Sequence, residues 1–138
     1  MPNLFNLEII TPERVFFNSD VEMVVLQAVD GEMGILYGHE PVIISLGIGK
    51  LKIKIDGTWK EAALSGGIAE VEPNKTMILT DAIEWPEEID KQRAEQAKER
   101  AENKLKQKLS GDEFERYQAA LERAINRIRM AEKNQSEK

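Results

Sequence analysis

The strongest constraint on this chain is a change of hydrophobic period at Trp85–Pro86. Upstream of it, apolar residues recur at every second position. The stretch "LKIKID" (51–56) alternates without a break, as a strand does when one face meets a core and the other meets water. Asp56–Gly57 follows, and another strand-like run begins at once, the usual signal of a two-residue hairpin. Val and Ile crowd "VEMVVLQAV", "VIIS" and "TMILT", and Asp30–Gly31, Gly66–Gly67 and Pro73–Asn74 punctuate the runs at short spacing. Many short strands with regular turns predict an antiparallel β-sandwich over residues 1–86. Gly66 and Gly67 in "LSGG" are expected to make a tight turn or a bulge.

Downstream the period is helical. Phe114, Tyr117, Leu121, Ala124, Ile128 and Ala131 recur at steps of three and four, which is one apolar stripe. A thinner stripe precedes it: Ala94, Ala97 and Ala101, then Leu105 and Leu109. Gly111 is expected to end the first helix in a left-handed conformation, and Asp112, with Glu115 three residues on, to cap the second. A three-residue connection makes the helices antiparallel neighbours, so residues 87–138 are predicted to form a two-helix hairpin. The fold class is therefore α+β, a sandwich followed by a hairpin. Alanine buries little area, so the hairpin core is expected to be weak and able to open. The terminal "EKNQSEK" (132–138) is expected to fray.

Charge divides the chain in the same place. Residues 1–86 carry 13 acids and 6 bases, and residues 87–138 carry 12 acids and 13 bases. The overall balance of −6 argues against a nucleic-acid partner, which would need a basic stripe against phosphates. With no cysteine and His39 as the sole histidine, neither a thiolate nor a histidine metal site is expected. No phosphate loop is present, and Ser65 lacks the flanking glycines of a nucleophile elbow, so no catalytic residue is assigned. No signal peptide and no run of 18 apolar residues stands in the sequence, so membrane contact is expected only through a partner.

One charged stretch raises a question. In "EEIDKQRAEQAKERAENK" (87–104), Arg93 and Arg100 lie on one helical face, with Asp90 a turn before Arg93. Folding the chain at Gly111 puts Arg123 at nearly the level of Arg100, and puts Arg127 opposite Glu95, between the levels of Arg93 and Arg100. Seven residues of helix cover roughly 10 Å, so four guanidiniums share about two turns. Two readings stand open: a solvated face with Glu95, Glu99 and Glu122 pairing the arginines, or a polyanion held between the helices by guanidinium forks.

Three separated motifs, "GEMGILYGHEP" (31–41), "LSGGIAEV" (64–71) and "IDKQRA" (89–94), occur in this order at these separations. In them the chain closely resembles the epsilon subunits of bacterial rotary ATP synthases, over essentially its whole length. Tyr37 departs from the family pattern, which commonly has proline there. The resemblance implies a non-catalytic subunit of the central stalk, at the cytoplasmic face of the cell membrane. Its sandwich would bind the gamma subunit and stand on the c-ring, coupling proton-driven rotation to ATP synthesis. Glu32, in the segment Asp30–Gly38, matches the loop that meets the ring, and His39 matches a position near gamma. The hairpin would restrain ATP hydrolysis when extended toward the alpha and beta subunits, with Arg116, Arg123 and Arg127 facing an acidic loop of beta.

In some bacilli-type members the "I/L-D-x-x-R-A" motif belongs to a site that binds ATP without hydrolysing it. The matching residues are Ile89, Asp90, Arg93 and Ala94, with Glu84 before them and Arg100, Arg123 and Arg127 after. The four arginines would meet the phosphates, and Glu84, Ile89, Asp90 and Ala94 would surround the adenine end; whether Mg²⁺ accompanies the nucleotide is left open. Two other classes are a free-standing adaptor whose hairpin binds a partner helix, and a small nucleotide hydrolase.

Overall fold

Leu51 and Ile53 are fully buried while Lys52 and Lys54 between and beyond them are not, so the alternation of "LKIKID" is a strand with one face in a core. The computed structural model describes residues 3–136. The chain divides into two compact units, the first ending at Glu84 and the second starting at Trp85.

The first unit is β-structure: β1 (Phe5–Ile10), β2 (Val15–Val21), β3 (Met23–Ala28), β4 (Gly31–Leu36), β5 (Val42–Ile55), β6 (Thr58–Glu72), β7 (Lys75–Leu79) and β8 (Ile83–Glu84). The pairing order is β2-β1-β7-β6-β5-β3-β4, with β8 also on β6. Every pair is antiparallel except β1 with β7, which run parallel. The expected hairpin is present. Asp56 (φ 50°) and Gly57 (φ 75°) are both left-handed, as a type I′ turn requires, and the Glu22 carboxylate accepts from the Gly57 N–H at 2.9 Å.

The strands it joins are not short. β5 has 14 residues and β6 has 15, because the hairpin runs through both layers of the sandwich. The core-facing side changes along the way. On β5, Ile44 and Leu46 are buried at one end and Leu51 and Ile53 at the other, so the alternation slips by one across Gly47–Gly49. On β6 the same slip separates Leu64 from Ala69, across Gly66–Gly67. Gly66–Gly67 is thus neither a turn nor a bulge: Leu46 still pairs with Gly67 and Ile48 with Ser65, and the register never shifts. The two glycines (φ 90° and 124°) let the strand bend and exchange its neighbour, from β8 at Ala63–Leu64 to β7 at Ile68–Glu72.

In the second unit, a 3₁₀ turn (Pro86–Glu88) leads into α1 (Lys91–Leu105) and α2 (Gly111–Ser136). Asp90 caps α1, its Oδ1 accepting from the Arg93 N–H at 3.0 Å. The cap of α2 is Ser110, not Asp112. The Glu113 N–H donates to Ser110 Oγ at 3.2 Å, and Ser110 Oγ donates to the Glu113 carboxylate at 3.0 Å. "SGDE" is the capping box, shifted two residues from the expected one. Gly111 is the first residue of α2 and keeps a negative φ; α1 ends instead by tightening, with the Lys106 and Gln107 N–H groups donating to the Asn103 and Lys104 carbonyls. The connection therefore has five residues, 106–110, not three. α2 continues to Ser136, so the expected fraying of 132–138 is not found as far as that residue, and its last two residues lie outside the described ones.

Candidate functional site

Two small stripes meet between the helices. On α1 the buried residues are Ala94 and Ala101, two turns apart; on α2, Ala124, Met130 and Ala131 are buried. Phe114, expected in the stripe of α2, is 50% exposed. Lys91 pairs with Glu132 at 3.4 Å, tying the start of α1 to the end of α2, so the helices are antiparallel. That pairing sets the register: Arg100 stands level with Arg123, and Arg127 with Gln96, about halfway between Arg93 and Arg100.

Helical periodicity then fixes the sides. With Ala94 and Ala101 facing α2, Arg93, Arg100 and Lys104 fall on one flank of α1, while Glu95, Glu99 and Glu102 fall on the other with Lys91. With Ala124 and Ala131 facing α1, Arg116, Arg123 and Arg127 share one flank of α2, and Glu132 lies on the opposite one. In an antiparallel pair, the flanks carrying Lys91 and Glu132 lie on the same side, as their ion pair requires. The two arginine flanks therefore share the other side. Between the levels of Arg93 and Arg116, neither helix places a carboxylate of its own on that side.

The ion pairs that a solvated, salt-bridged face would need are not found for three of the four arginines. Among the described residues, Arg93, Arg100 and Arg123 have no ion pair within 4.0 Å, and neither do Glu95, Glu99 and Glu122. Arg93, Arg100 and Arg123 are exposed, and Arg127 is half-buried. Cations crowded on one face repel each other, and a bound polyanion relieves that repulsion with bidentate, charge-assisted bonds.

Of the other residues singled out, Ile89 is half-buried, its N–H donating to the Pro86 carbonyl, and Asp90 is engaged as the α1 cap. Ala94 is fully buried and lets the helices approach closely. Glu84 ends β8 and belongs to the first unit. The sequence reading missed the segregation of acids and bases to opposite flanks. A helical projection anchored on Ala94 and Ala124 would have revealed it.

At one end of the sandwich, Glu32 is exposed on β4, which pairs only with β3. It borders a cleft of about 490 Å³ formed by the β3–β4 turn and the start of β5. Val29 and Ile43 stand 67% and 70% exposed there, an apolar surface beside an acid. His39 follows the Gly38 turn, its Nδ1 2.8 Å from the Glu40 carbonyl oxygen.

Comparison with known proteins agrees with this two-part organisation. Residues 4–86 match the family described as ATP synthase, Delta/Epsilon chain, beta-sandwich domain, and residues 87–132 match its long alpha-helix domain. The chain is 64% identical over 132 residues to the ATP synthase epsilon chain of Caldicellulosiruptor saccharolyticus, covering 96% of each. It is 42% identical over 125 residues to that of Bacillus velezensis, covering 91% of this chain and 95% of the other. Among solved structures it resembles a chain of the Euglena gracilis mitochondrial ATP synthase OSCP/F1/c-ring assembly, with a TM-score of 0.75 at 27% identity over 88% of this chain and 78% of that one.

Proposed function

The chain belongs to the ATP synthase delta/epsilon family, non-catalytic subunits of the central stalk, and from that premise we propose that its helix pair is an ATP sensor restraining ATP hydrolysis. The observation that carries the sensor reading is the arginine side of the helix pair. Arg93, Arg100, Arg123 and Arg127 fall on one side of the pair, two from each helix, and the acids of α1 at Glu95, Glu99 and Glu102 fall on the other. The triphosphate would lie across them, and Ile89 and Asp90 would stand at the adenine end. The family's subunits are non-catalytic, so the nucleotide would be bound and not hydrolysed. A ligand that touches both helices binds only when they are packed together, so ATP holds the pair closed and its scarcity frees the helices to act on the catalytic head.

The sandwich end carries the other half of the reading. Its apolar surface around Val29 and Ile43, with Glu32 beside it, suits a protein partner, and similar chains sit in F1/c-ring assemblies. We assign Glu32 to the c-ring contact and His39 to the gamma contact. No described helix is long and apolar enough to cross a membrane, and attachment to the cytoplasmic face of the cell membrane would come through the complex.

Calorimetry on the full chain tests the sensor. ATP is expected to bind at one site in the micromolar to millimolar range, about −8 to −4 kcal/mol. Arg93→Ala and Arg127→Ala are each expected to weaken it by roughly 1.5–3 kcal/mol, as the loss of a charge-assisted bond should. Arg129, exposed away from the arginine flank, is the control. No binding at millimolar ATP, or equal losses at Arg93 and Arg129, would sink the nucleotide reading.

A further inference from the structure

The basic side of the helix pair does not stop where a nucleoside triphosphate would. Beyond the level shared by Arg100 and Arg123, Lys104 continues the flank of α1 and Arg116 that of α2, and both are exposed. The register set by Lys91–Glu132 puts Arg116 level with Gln107. From Arg93 to that level the cationic side runs roughly 20 Å, at about 1.5 Å per residue. The Arg116 guanidinium lies 5.1 Å over the Tyr117 ring, a contact that holds it along the helix. Lys104, like Arg93, Arg100 and Arg123, has no ion pair among the described residues. Along the two helices, the carboxylates that border this side stand at its ends. Asp90 is the α1 cap, Asp112 stands at the connection, and Glu113 is engaged by Ser110.

Three linked phosphates cover less than half of that length. We propose that this side of the helix pair binds a linear inorganic polyphosphate, laid along α1 and α2 from Arg93 to Arg116, in competition with ATP. The proposal rests on the anion-binding reading above but not on its preference for adenine. The chemistry is that of a uniform row of charge. Phosphates beyond the third reach Lys104 and Arg116 and release further counterions, so affinity grows with chain length up to the length of the row. ATP ends its charge where its nucleoside begins and leaves Lys104 and Arg116 unused. The two ligands share Arg93, Arg100, Arg123 and Arg127, so they exclude each other.

The test is titration of the full chain with inorganic tripolyphosphate, long-chain inorganic polyphosphate and ATP. Long-chain polyphosphate should bind about tenfold tighter than tripolyphosphate and be displaced by ATP. The double variant K104A/R116A should lose that tenfold while its ATP affinity stays within about twofold, since the distal pair is separate from the nucleotide's contacts. A second double variant, K106A/R129A, removes the same charge away from this side and should leave both ligands unchanged. Equal affinity for short and long chains would overturn the proposal, as would equal losses in the two double variants. If ATP fails to bind while long-chain polyphosphate binds with this dependence on length and on Lys104 and Arg116, the nucleotide reading and the competition both fall, and the polyphosphate site stands.

Discussion

Thr76 places a hydroxyl where nothing answers it. The residue is fully buried on β7, paired with Leu7 and Val71, and its Oγ1 has no hydrogen-bond partner among the described residues. An unsatisfied buried hydroxyl costs about 1–3 kcal/mol, so Thr76→Val, which keeps the shape, is expected to raise stability by about 1 kcal/mol. A melt showing no gain or a loss would mean that the hydroxyl is satisfied in solution. Gly67 is the opposite case. A Cβ there would run into the Leu79 carbonyl and lie 2.9 Å from the Thr80 Cα, at a φ of 124° that side chains rarely adopt. Gly67→Ala is therefore expected to destabilise by roughly 2–4 kcal/mol, and chemical denaturation would measure it. The sequence marks this glycine as special but misstates why. "LSGG" has the composition of a turn, and only the pairing of β6 with β5, β7 and β8 reveals a strand bending between two layers.

At the level of single elements, the alternation of β5 and the I′ turn at Asp56–Gly57 were legible because each depends on neighbours in the chain. The cap of α2 was not, because two boxes compete in "SGDEFE". Ser110 with Glu113 and Asp112 with Glu115 both fit the pattern, and the choice depends on where α1 stops. The outcome is testable. Ser110→Ala is expected to cost about 1 kcal/mol of helix stability, read by thermal melting, while Asp112→Ala should cost distinctly less. A larger loss at Asp112 would restore the earlier box. The arginine row shows the same dependence on context. Its spacing was visible in the sequence, but its freedom from acids needed the inward direction fixed by Ala94, Ala101, Ala124 and Ala131. Those small side chains bring the helices close yet bury little apolar area of their own, so the pair is expected to be held weakly by its core. A ligand bridging both helices then weighs heavily in their balance.

For the whole molecule, the division at Glu84–Trp85 separates two compact units. The sandwich holds the large buried side chains: Leu7, Ile9, Leu26, Ile35, Leu51, Ile53, Leu64 and Ile78 are all fully buried in it. None depends on residues beyond β8 for its place in the sheet. A chain stopped after Trp85 is therefore expected to fold, to join the stalk, and to sustain proton-driven ATP synthesis in the reconstituted complex. The same truncation removes the whole arginine side, so ATP hydrolysis by that complex should rise and lose its restraint at low ATP. In the full chain, ATP at a hundredfold excess over Kd should favour the closed helix pair by about 2.7 kcal/mol, and amide exchange in α1 and α2 should slow accordingly. Those two measurements bear on different links. Slower exchange with unchanged hydrolysis after truncation would leave a nucleotide site without a regulatory output. Raised hydrolysis without any effect of ATP on exchange would leave a regulator that senses something else. Collapse of ATP synthesis in the truncated complex would show that the helices also carry torque, and that the boundary at Trp85 separates folds but not functions.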